Sequence, residues 1–188
     1  MLTIVAYGVA ATQGSAKAVI SRSTGRPMLK KDNEKSQNEW RANVRDETRK
    51  VMADRAPMTG PVVLAITFTR PRPVSAPKRK PSWPHRKPDW DKLARAISDG
   101  LKDGGAYMDD AQVVRAMVIK DYPMVQESYR PPDLDVSAEY MTLLWSGSGD
   151  LLNIPGVVIR LAHLTEFAGV RAKLARAGYE PRDIEGGS

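Results

Sequence analysis

Three aspartates stand out by type and spacing. Asp89 and Asp91 lie one residue apart in KPDWDKL, and Asp110 closes a second acidic pair about twenty residues on, in YMDDAQVV. A basic run, PKRKPSWPHR, comes directly before the first pair. Carboxylates set beside a phosphate-binding surface repel the ligand unless a cation stands between them. If the strand that follows Asp110 packs beside the start of the helix, three carboxylates converge; these cannot all stay ionised in a dry pocket without such a cation, and hard oxygen donors with open water positions suit Mg²⁺. The chemistry this points to is metal-assisted attack of water on a phosphodiester. Asp89 has a second reading as a plain helix N-cap, because Pro88 disfavours helix at Lys87 and leaves Asp89 at the start of the helix that follows. That reading does not extend to Asp91 and Asp110. Of the pair Asp109 and Asp110 only one should face the site, since successive strand residues point opposite ways.

The whole-chain charge agrees with an anionic partner. The net charge is +7 over 188 residues, which bears on partners rather than fold. Arg70, Arg72, Lys78, Arg79, Lys80, Arg86 and Lys87 crowd one segment, interleaved with prolines and Trp83. A solvated basic loop is the bland alternative to nucleic-acid contact. His85, the one histidine near the acids, is expected to meet phosphate or solvent rather than to act as a base. There is no cysteine, so neither a disulfide nor a cysteine zinc site can form, and His85 and His163 lack metal-site spacing. No stretch approaches the eighteen or so apolar residues of a membrane span, which predicts a soluble, unsecreted protein.

The elements that must position the acids are legible from periodicity. LTIVAYGVA reads as a first strand, and ATQGSAKAVISRSTGRP as a long loop or hairpin carrying Lys17, Arg22 and Arg26. A helix is predicted from Glu34 to Met52, with Trp40, Val44 and Val51 marking a sparse apolar side. VVLAITFT alternates as a strand. The segment Asp91 to Lys102 gives the best helix signal, with Leu93, Ile97 and Leu101 four apart, Trp90 and Ala94 on the adjoining stripe, and Gly104 and Gly105 as the stop. Asp91, Arg95 and Asp99 are four apart on its other face. QVVRAMVIKDY is a strand-prone run ending before Pro123. These elements predict an α/β (α+β mixed) fold, a small mixed sheet with two main helices, over residues 1–145. Residues 146–188 are expected to be a helical extension with a disordered tail, carrying Val158, Leu161, Leu164, Val170 and Leu174 on one stripe and Arg160, Arg171, Lys173 and Arg176 on another. Packing on the core, a DNA-contacting tail and a partner-binding helix are its three readings.

The run KPDWDKLARAISDGLKDGGAYMDDAQVVRAMVIKDY resembles the signature of the RusA-type Holliday junction resolvases, small phage and prophage endonucleases. In that signature a Pro-Asp-x-Asp-[Asn/Lys]-Leu segment opens a helix and an Asp-Asp-[Ala/Ser]-Gln-[Val/Ile] segment follows about twenty residues on, matched here without a gap. YGVAATQGSAKAVISRSTGRP resembles, less specifically, the basic loop that many phage members carry after the first strand. The resemblance implies a homodimer in the bacterial cytoplasm that binds a four-way DNA junction and makes two symmetric nicks with Mg²⁺ or Mn²⁺. Carried over, the catalytic and metal-binding carboxylates are Asp89, Asp91 and Asp110, the last preferred over Asp109 on this ground. Arg95 stands where the family has a lysine, with two readings: it neutralises charge on the phosphate, or it only holds Asp91 and Asp99 by pairs four apart. Lys92 stands where some members have Asn and joins Lys17, Arg22, Arg26, Arg72, Lys78, Arg79, Lys80, Arg86 and Lys87 as a DNA contact. A broader nuclease for flaps and forks, and a junction-binding protein that does not cut, are the alternatives.

Overall fold

The computed structural model describes residues 1–13, 16–31, 33–77, 82–123 and 151–166. The strands are β1 (Leu2–Tyr7), β2 (Ala16–Ile20), β3 (Pro27–Lys31), β4 (Val62–Thr69), β5 (Val113–Asp121) and β6 (Gly156–His163), and the helices α1 (Glu34–Met52) and α2 (Trp90–Asp103). A mixed sheet runs in the order β1-β6-β4-β5, with β4 and β5 parallel and the other two pairings antiparallel. β2 and β3 form a separate hairpin.

The core follows from the alternation of the strands. Cross-strand layers run Leu2, Leu161 and Leu64, then Ile4, Ile159 and Ile66, then Ala6, Val157 and Phe68. This face packs against Trp40, Val44 and Met52 of α1 and Leu93, Ala96, Ile97 and Leu101 of α2. Aliphatic side chains matched across three strands bury apolar area continuously, which is the main favourable term in folding. β4 is buried along its whole length; on its opposite face Val63 and Ala65 pack with Met117 and Leu164.

The helices approach each other closely because α2 turns glycines toward α1. A Cβ on Gly100 would lie 2.8 Å from Val44 Cγ1, and one on Gly104 would lie 2.9 Å from the Arg45 carbonyl and also collide with Thr48. Gly104 is therefore required by packing, not by backbone freedom: it has φ −82°, and the left-handed residue that ends α2 is Gly105 at φ +82°.

Two expectations are corrected. The apolar run 156–163 is a strand, not the start of an extension helix, and it lies between β1 and β4 with six of its eight residues buried. A strand covered on both faces shows no period-two alternation, so its apolar run imitates a helix segment. Trp90, placed by spacing on the apolar side of α2, is 60% exposed, because burial begins only with Leu93. Residues 124–150 and 167–188, which hold Trp145 and most of the predicted extension, lie outside the described residues.

Candidate active site

α2 carries its acids on two flanks. At 3.6 residues per turn, Asp91, Arg95, Ser98 and Lys102 fall within about 60° of arc, facing outward. Asp99 and Asp103 fall on the side toward α1. There Arg41 Nε donates to Asp103 at 2.6 Å, Arg41 also lies 3.9 Å from Asp99, and Gln13 Nε2 donates to Asp99. The Arg41 hydrogen bond holds the Asp103 carboxyl below its ordinary value.

The outward flank is different. Asp89 occupies the N-cap position with φ −69° and ψ 141°, yet its side chain makes no capping hydrogen bond; it pairs instead with Lys92 at 3.1 Å. The plain N-cap reading thus fails for its carboxylate, although its carbonyl accepts from Leu93 N at 3.2 Å. Asp91 is exposed in the first turn, where the helix dipole favours a negative charge. Among the described residues neither Asp91 nor Arg95 has an ion pair, so Arg95 does not clamp Asp91 and Asp99. Asp99 is drawn away to Gln13 and Arg41.

The segment returning from α2 packs along this outward flank. Tyr107 is buried, and its hydroxyl donates to the Ser98 carbonyl at 2.9 Å. Burial first, with Asp110, Asp99 and Asp109 nearby, pushes the Tyr107 phenol up to about 12. A 3-10 turn over Asp110–Gln112 then leads into β5. Asp109 caps that turn: it accepts from Ala111 N at 2.9 Å, Gln112 Oε1 accepts from Asp109 N at 3.0 Å, and Lys102 Nζ lies 3.0 Å from Asp109. The Ala111 amide, then Lys102, hold the Asp109 carboxyl below its ordinary value. Gln112 also donates to the Met58 and Gly60 carbonyls, so the turn is fastened to the segment that leads into β4. Asp110 is exposed beside it.

The approach to α2 is fastened from the far end of β5. Lys120 Nζ donates to the carbonyls of Arg86 and Pro88 at 3.2 and 3.0 Å, and the Lys87–Pro88 peptide is cis. Nothing in local spacing points to Lys120, whose partners lie more than thirty residues away. The loop from β1 adds another long-range tie, Gln13 N donating to the Lys92 carbonyl at 3.0 Å.

The basic residues divide as well. Arg22, Arg26, Arg86 and Lys87 are exposed, and Lys92 is half-buried against Asp89. Arg72 donates to the Pro77 carbonyl and stacks over Tyr122, 5.9 Å from the ring centre. Arg70 turns inward to the Ala10 carbonyl at 3.1 Å, and burial lowers its pKa. Lys17 belongs to β2; Lys78, Arg79 and Lys80 lie outside the described residues.

The donor chemistry of Asp89, Asp91 and Asp110 suits a hard divalent cation, since none of the three carboxylates is used as a helix cap. Among the described residues, however, no three Asp, Glu or His side chains are gathered closely enough to form a metal cage.

No curated protein matches the chain. The family described as Endodeoxyribonuclease RusA matches residues 13–127, a span that holds the hairpin, both helices, the basic segment and both acidic pairs. The chain belongs to the RusA family of endodeoxyribonucleases, nucleases that act on Holliday junctions.

Proposed function

We propose that the protein is a Mg²⁺-dependent endodeoxyribonuclease that resolves four-way DNA junctions by paired nicks, acting as a homodimer in the cytoplasm of a bacterial host of phage or prophage. The observation that carries this reading is the contrast along α2. Acids on the α1 flank meet Arg41, whereas Asp91 on the outward flank and Asp110 in the turn after α2 are exposed, and the exposed cations Arg86 and Lys87 shortly precede Asp91 in sequence. Exposed acids beside a basic surface weaken phosphate binding unless a cation joins them to the phosphate.

Asp89, Asp91 and Asp110 would hold Mg²⁺, with Mn²⁺ able to replace it; the ion supplies charge neutralisation on the phosphate and a more acidic water. Arg95, one turn beyond Asp91, offers planar donors to a phosphate oxygen as negative charge builds there. Arg86, Lys87 and Lys92, with Lys17, Arg22, Arg26, Arg72, Lys78, Arg79 and Lys80, hold the backbone of the arms, which carries most of the affinity.

The absence of a metal cage among the described residues supports a second reading, a protein that binds junctions without cutting them. A labelled synthetic four-way junction, beside linear duplex and a flap, with Mg²⁺ or EDTA, separates the readings. Paired nicks in the junction alone, lost with EDTA and in Asp91→Asn, support the resolvase. Cutting of flaps as well means a broader branched-DNA nuclease. Binding without cleavage in either metal leaves the non-cutting protein.

A further inference from the structure

Trp90 belongs by helical angle to the core stripe of α2, between Ile97 and Leu101. Those two side chains are fully buried, yet Trp90 is 60% exposed. The first position of a helix favours proline or a good helix former, so the indole brings no local gain there. A solitary exposed aromatic is ordinary; its position here is not. It stands between Asp89 and Asp91, and Trp83, also exposed at 53%, precedes it across the exposed cations Arg86 and Lys87. Lys120 grips the Arg86 and Pro88 carbonyls, so the backbone leading to Trp90 is fastened to β5 before any ligand arrives.

We infer that Trp90 is a base-stacking residue: its indole takes the face of a nucleobase next to the phosphate that the flanking aspartates would meet through a cation, and so favours DNA whose stack is open at a branch. The inference rests on the nuclease reading above and adds to it the feature of the substrate that is sensed. In a continuous duplex every base face is covered by its neighbours. At a branch point, or in a single strand, a face becomes available, and an aromatic side chain accepts it whatever the base. Trp90 thereby selects branched DNA without reading sequence, while Arg86 and Lys87 bind phosphates in any duplex. A fastened platform loses little freedom on binding, which leaves more of the stacking energy to favour the complex.

The test uses the whole protein with Ca²⁺ in place of Mg²⁺, a hard oxygen-seeking cation that neutralises the acids but activates water poorly, so that binding is read without cleavage. A synthetic four-way junction carrying 2-aminopurine beside the branch, and a linear duplex of the same sequence, are titrated with wild type, Trp90→Ala and Trp90→Phe. Stacking predicts quenched 2-aminopurine fluorescence with wild type. It also predicts a loss of about tenfold or more in junction affinity for Trp90→Ala, with linear duplex affinity unchanged, and largely retained binding for Trp90→Phe. Equal melting temperatures show that both variants fold, as expected for an exposed side chain. Equal quenching and equal junction affinity in Trp90→Ala overturn the inference. So does an equal loss on junction and duplex, which marks a general contribution to binding. A wild type that shows no preference for the junction overturns the junction-resolving reading above, and the stacking role with it.

Discussion

One helix, α2, presents two kinds of aspartate. On the side facing α1, Asp99 and Asp103 meet Arg41 and Gln13 where Gly100 and Gly104 bring the helices together. On the outward side, Asp91 is exposed with Arg95 one turn away, and Asp89 forgoes the capping bond its position offers. In sequence the two are not separable, since Asp91, Arg95, Asp99 and Asp103 follow one another at four-residue intervals. The difference is that the first set is held by partners on other elements, whereas in the second Asp89 meets only the neighbouring Lys92 and Asp91 has no ion pair among the described residues.

The sharpest way to break this contrast is the pair at 109 and 110. Asp110→Asn is expected to lower junction cleavage by about a thousandfold, because a lost metal ligand removes several kcal/mol of transition-state stabilisation. Asp109→Asn is expected to cleave nearly as well as wild type, since Asn also caps a turn and only the exposed Lys102 pair is lost. Single-turnover rates at saturating enzyme measure both. The reverse outcome makes Asp109 the ligand and Asp110 the bystander.

Gly104→Ala attacks the other flank. Its methyl group has nowhere to go between Thr48 and the Arg45 carbonyl, so the helices must separate at a cost of about 1–3 kcal/mol. Urea unfolding should show the loss, and the folded fraction should cleave at the wild-type rate. Unchanged stability would mean that the close approach of α1 and α2 is not what holds α2 in place.

The same contrast explains what the sequence shows and hides. α1, α2 and β5 are legible because each has one stripe or face against the core, and β4, although covered on both faces, because a Gly-Pro break opens its β-branched run. β6 is not, since it is apolar on both faces and its run continues without a Gly or Pro break into the helix-like sequence that follows. The acid motif is legible by spacing, but the division of labour between Asp109 and Asp110 depends on a capping box closed by Gln112, and the loss of the Arg95–Asp99 pair expected from spacing goes with Asp99 being taken by Gln13, 86 residues away in sequence. Lys120 is hidden for the same reason: its role arises only when β5 is laid beside the segment before α2.

The smallest expected effect tests whether the inner acids are structural and nothing more. Asp103→Asn should lower stability by less than about 1 kcal/mol, because its pair with Arg41 is partly solvated and two long side chains must be ordered to make it. The sign with pH follows from the depressed carboxyl. The folded protein binds the proton less readily than the unfolded chain, so the pair's contribution is complete above the ordinary value of 3.8 and fades as pH falls through the lower folded value. The difference in urea midpoint between wild type and Asp103→Asn should therefore be constant between about pH 5 and 8 and shrink toward zero in acid. It should also shrink in about 1 M salt. Cleavage by Asp103→Asn should match wild type throughout the range in which both are folded. A drop in cleavage without a drop in stability would erase the distinction between the flanks and bring Asp103 into the site.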